Sequence, residues 1–86
     1  MDINELITIV KKKLANQLNI ESVNIIDKTY LHKNHIGNQA GKFHLKINII
    51  SEELKNLNKI ESTKKIYKVL NKELKEYIHS VQISIL

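Results

Sequence analysis

The sequence contains no cysteine, no arginine and no proline, and only two glycines. Without cysteine the chain can form no disulfide and offer no thiolate, which removes cysteine nucleophiles and self-sufficient sulfur-ligated metal sites. A cysteine-free chain is compatible with a reducing compartment, and a cytoplasmic location is the expectation. Without arginine the chain lacks the planar fork that pairs with guanine edges in DNA. The scarcity of glycine leaves no phosphate-cradling loop. Long apolar runs are missing as well. The first apolar stretch is broken by Asn4, Glu5 and Lys11-Lys12-Lys13, so neither a signal peptide nor a span of roughly 20 apolar residues is expected.

What is present is enough to fold. Hydrophobic residues make up 42% of 86 residues. This predicts one domain over residues 1–86 that buries roughly 60–65% of its unfolded surface. The formal charge is +5, and all fourteen basic residues are lysine. Such a surface attracts anions, including nucleic acid. It is also what an Ile-, Lys- and Asn-rich composition leaves on any solvated face.

Apolar spacing at Ile3, Leu6, Ile7, Val10, Leu14 and Leu18 predicts an amphipathic helix capped by Asp2 with Glu5 as reciprocal partner. Two of the three lysines at 11–13 should face solvent. Ser22 to Lys28 reads as a strand, followed by a long loop over 29–42 that holds both glycines, Gly37 and Gly41. Phe43 to Ile50 alternates, with Phe43, Leu45, Ile47 and Ile49 on one face and His44, Lys46 and Asn48 on the other. Ser51-Glu52-Glu53 starts a short helical turn. Asn58 caps a longer helix whose stripe runs through Ile66, Tyr67, Leu70, Leu74, Tyr77 and Ile78. Ser80 to Leu86 alternates again. The order αββααβ predicts an α+β two-layer sandwich: an antiparallel hairpin, a third strand returning parallel to the second, and helices on one sheet face.

Within that order, several stretches resemble the BolA family. Asp27-Lys28-Thr29-Tyr30-Leu31-His32 is similar to the family's Asp-Glu-Ser-x-x-His stretch. His44-Leu45-Lys46-Ile47-Asn48-Ile49-Ile50-Ser51 resembles its second strand, and Glu53-Leu54 stands where the family has x-Phe. Ile78-His79-Ser80-Val81 matches Val-His-Ala-Leu before the last strand. One motif departs: the family's Arg-His-Arg ahead of the helix tyrosine reads Ser62-Thr63-Lys64 here. The resemblance implies a class II KH-like fold. It also implies partnership with a monothiol glutaredoxin and glutathione, sharing a [2Fe–2S] cluster in iron–sulfur handling. The family's ligand positions map to His79 and His32, with His35 and His44 as alternates. Members are also described as DNA-binding transcriptional regulators.

Imidazole is the one good soft-metal ligand type this chain owns. Two imidazoles close half of a four-coordinate site, as in Rieske-type ligation, and the thiolates must come from a partner. The isolated chain should therefore carry no cofactor. Read without the family, His79 is a helix C-terminal cap, His32 and His35 are loop residues, and His44 is a polar strand position. Enzyme readings lack support: no catalytic triad signal and no carboxylate pair in an apolar setting is present, and a three-histidine zinc site lacks helical spacing. Gly37 and Gly41 are separated by three residues and lie between strands, so the KH Gly-x-x-Gly grip on single strands is absent. Any DNA contact is expected to be weak, through Lys64, Lys65 and Lys68. No membrane contact is expected, and the chain should be a monomer or a weak homodimer.

Overall fold

The computed structural model describes residues 1–29 and 42–86. The elements are α1 (Ile3–Gln17), β1 (Ser22–Asp27), β2 (Phe43–Ile50), α2 (Glu52–Lys55), α3 (Lys59–Val69), α4 (Asn71–Glu76) and β3 (Ile78–Ile85). The sheet order is β1-β2-β3, with β1 antiparallel and β3 parallel to β2. This is the topology expected from the hairpin and the helical return.

The helices α1, α2 and α3 each start where a polar side chain satisfies an orphan N–H, whereas α4 follows Leu70 with no side-chain cap. The Asp2 carboxylate accepts from Glu5 N–H at 2.8 Å, and that bond holds its carboxyl below the usual range. Ser51 Oγ accepts from Leu54 N–H at 3.1 Å and donates to the Asn19 carbonyl at 2.7 Å. It thereby caps α2 and ties it to the connection after α1. Asn58 accepts from Glu61 N–H at 2.9 Å and starts α3.

The core lies on one sheet face. Leu6, Val10 and Leu14 of α1, spaced four residues apart, pack with Ile25, Leu45, Ile47, Ile49, Leu54, Ile66, Leu70 and Ile78. The opposite face carries Asn24, Ile26, His44, Lys46, Asn48, Gln82 and Ser84 in alternation with the core positions. Among the described residues no helix is long and apolar enough to cross a membrane.

The expected long helix is two helices. It breaks at Leu70, whose φ of −98° and ψ of 15° leave the helical region. No glycine or proline marks the break, so periodicity alone could not show it. Leu70 itself is fully buried. The first strand ends at Asp27, one residue earlier than expected, and the last begins at Ile78, two residues earlier. Tyr67, placed on the core stripe by its spacing, is 44% exposed. The core stripe of α3 runs instead through Ser62 and Ile66 to Leu70. Beyond the break Glu73 is the buried residue of α4, and one of its oxygens takes Lys13 of α1 at 2.6 Å. Its other oxygen, Oε1, is buried and has no partner among the described residues. Lys13 is the half-buried member of the 11–13 run, with Lys11 and Lys12 exposed.

Candidate functional site

The pairing of β2 with β3 contains one irregularity. Phe43 pairs with Ile78, but the next residue, His44, pairs with Ser80. His79 is therefore the extra residue of a β-bulge. The reason is visible in the burial pattern: Ile78 and Val81 both turn toward the core, although three positions apart is the wrong parity for a regular strand. The bulge absorbs the odd residue and leaves His79 and Ser80 both exposed. Bulges of this kind re-aim side chains and recur beside functional sites.

His79 lands against His44. The two imidazoles meet edge to face with centroids 5.0 Å apart and planes at 60°. His44 lies on the open face of the sheet yet is only 4% exposed, so it is more than a polar strand position. Its Nδ1 shares a 2.6 Å hydrogen bond with Ser80 Oγ. Its backbone N–H donates to Thr29 Oγ1 at 3.1 Å. Thr29 is in turn held by the Asp27 carboxylate, which accepts from both its N–H and its hydroxyl. The end of β1 thus clamps the start of β2. Lys28 and Lys46 line the shallow hollow around His44, Ser80 and Gln82, so its rim is cationic.

Of the expected ligand positions, His79 and His44 are brought together; His32 and His35 lie outside the described residues. Among the described residues no group of three or more metal-ligating side chains gathers. Among the described residues the available donor is one exposed imidazole, that of His79; His44 is buried, and its Nδ1 is engaged by Ser80 Oγ. Such an imidazole suits one ligand position of an iron–sulfur cluster, whose thiolates a cysteine-free chain would have to take from outside. Sequence reasoning missed Ser80 and Thr29 as supports. The Asp-x-Thr spacing at the strand end was the available signal for Thr29, and the broken alternation at 78–81 was the signal for the bulge.

A second feature lies on the far side of α3. Lys59, Ile60, Thr63, Lys64, Tyr67, Lys68 and Asn71 line one open surface at helical spacing, with Ile60 and Tyr67 exposed. Lys64 and Lys68 sit on it. Lys65 is not among its lining residues and stands 4.0 Å from Glu53. In the Ser62-Thr63-Lys64 triplet, Ser62 is buried and bonds the Lys59 carbonyl, while Thr63 and Lys64 line the open surface.

The chain is 28% identical over 75 residues to the DNA-binding transcriptional regulator BolA of Haemophilus influenzae, covering 87% of this chain and 70% of that protein. Its fold matches the BolA domain of SufE1 from Arabidopsis thaliana with a TM-score of 0.77 at 21% identity, over 99% of this chain and 92% of that one. It matches BolA1 from Arabidopsis thaliana with a TM-score of 0.74 at 23% identity, over 91% and 86%. The family model described as BolA-like protein matches residues 14–86, a span that includes the whole sheet, the bulge and both histidines, and the chain therefore belongs to the BolA-like family.

Proposed function

We propose that this chain is a binding protein, not an enzyme, that joins a monothiol glutaredoxin and glutathione around a shared [2Fe–2S] cluster in cytoplasmic iron–sulfur assembly or trafficking. The observation that carries the reading is the exposed His79 imidazole, set out on a bulge and braced by the buried His44. His79 is the residue that would ligate iron. His44 orients it, as outer groups commonly orient ligating imidazoles, and Ser80 fixes the His44 ring. The cluster would supply electron storage and a transferable iron–sulfur unit, at a potential raised by nitrogen ligation. Lys28 and Lys46 favour an anionic partner such as a glutathione carboxylate.

The test is to mix the protein with cluster-loaded monothiol glutaredoxin and glutathione. A one-to-one complex with an altered visible circular dichroism spectrum supports the reading. A spectrum identical to that of the loaded glutaredoxin alone overturns it.

The second reading is DNA binding. It is favoured by the open α3 surface with Lys59, Lys64, Lys68 and Tyr67 and by the name of the Haemophilus influenzae relative. With lysine as the only strong contact, binding should be sequence-tolerant and fall steeply with salt. Sequence-selective binding at physiological salt would bring this reading to the front.

A further inference from the structure

β3 is an edge strand with β2 as its one sheet neighbour. Leu86 N–H donates to the Ile49 carbonyl at 2.8 Å. In a parallel ladder, residues bonded to the neighbour alternate with residues that are not. Gln82, Ser84 and Leu86 therefore face β2, and Val81, Ile83 and Ile85 turn their N–H and C=O groups to the free edge. Outside the β2 ladder, and among the described residues, no backbone hydrogen bond closes on these three.

The same segment is where the charge of the chain runs out. Residues 77–86 hold no Asp, Glu, Lys or Arg, the longest such run in a sequence that is 27% charged. Natural edges are usually guarded by lysine, proline or an inward charge, and Val81–Ile85 has none. Val81, Ile83 and Ile85 point to the core face but are only partly buried. An open groove at Ile83 and Ile85 is lined by Leu54, Leu57 and Leu86, with Lys55 and Lys59 also on its wall.

From this we infer that β3 pairs antiparallel with β3 of a second copy of this chain, joining two three-stranded sheets into one of six strands. A two-fold axis at Ile83 sets Ile83 against Ile83, Val81 against Ile85, and Gln82 against Ser84. Every apolar side chain then meets an apolar one on the helix side, and every uncharged polar one meets its like on the open face. That self-complementarity is what a two-fold interface requires. The paired residues themselves carry no charge; the nearest lysines are Lys46, across the ladder from Gln82, and Lys55 and Lys59 in the groove beside Ile83 and Ile85. His79 lies outside the Val81–Ile85 seam, so pairing leaves the histidine pair open at each end of the joined sheet.

Sedimentation across a range of concentrations should show a monomer–dimer equilibrium, with amides of Val81, Ile83 and Ile85 exchanging more slowly as dimer forms. The double substitution Gln82→Glu/Ser84→Glu lies on the open face, with Lys46 as the cross-strand neighbour of position 82, and should leave the thermal melt intact. Because it sets like charges opposite one another twice across the seam, it should weaken self-association by at least about tenfold. Mixing that variant with Gln82→Lys/Ser84→Lys should restore a mixed dimer. A monomeric mass at every concentration, a glutamate variant that dimerises as well as wild type, or edge amides that ignore concentration would each overturn the inference. So would a monomer whose edge instead captures an extended apolar peptide.

Discussion

The His79 imidazole stands edge-on to that of His44 at 5.0 Å, and the two differ sharply in exposure, His44 being buried and His79 open to solvent. The exposed ring is free to bind; the buried one is structural. His79→Ala should therefore leave the unfolding free energy from urea melts within about 0.5 kcal/mol of wild type while abolishing the change in visible circular dichroism on mixing with loaded glutaredoxin. His44→Ala should cost about 1–3 kcal/mol, since it empties a packed, buried position and loses the hydrogen bond to Ser80. Wild-type spectra from the His79 variant would remove that residue from the site.

Ser80 acts through His44. Ser80→Ala removes the hydroxyl that shares a 2.6 Å bond with His44 Nδ1. The expected loss is about 0.5–1.5 kcal/mol of stability, together with a shift of the His44 ring nitrogen resonances in heteronuclear NMR. Unmoved resonances would show that the hydroxyl does not set the ring.

Leu70 sits at the junction of α3 and α4 and is fully buried. Leu70→Ala should cost about 2–5 kcal/mol in denaturant melts, the range for a leucine that leaves a cavity. A loss well below that would mean the helix break collapses to fill the space.

The Lys13–Glu73 pair joins α1 to α4 at 2.6 Å, with Glu73 buried and Lys13 about a third exposed. Lys13→Ala leaves a buried carboxylate without its cation and should cost about 1–3 kcal/mol, moderated by the solvent that reaches Lys13. The double variant Lys13→Met/Glu73→Leu should be more stable than Lys13→Ala alone, because the buried charge goes with its partner. A double variant less stable than the single one would show that the pair contributes net stability.

On the DNA side, Lys64→Ala and Lys68→Ala should each lower affinity for any duplex and flatten the salt dependence by about one unit of slope. Titration of one labelled duplex at several salt concentrations reads both effects. A sequence-dependent loss would contradict phosphate-only contact.

Strand positions to within two residues, sheet topology and the start of α1 were legible because alternation and capping are local signals: Asp2, Ser51 and Asn58 each cap the helix start expected of them. The break at Leu70 was not legible, because neither glycine nor proline announces it and its cause lies in packing. Tyr67 was misplaced because it neighbours Ile66 on the helix, and a rotation of one residue decides which of the two is buried. His79 and His44 could each be nominated from sequence. Their meeting could not, since it depends on a register shift between strands that are distant in the chain.

The bulge at His79 also separates what the sheet needs from what the site displays. Ile78 and Val81 reach the core whatever side chain stands between them and Ser80, so position 79 carries little folding information. A thiol, a carboxylate or an amide there would change which ligands the surface accepts without disturbing the layer beneath. The fold therefore offers this position as an interchangeable tip, on which chemistry can be altered by single substitutions while the scaffold stays as it is.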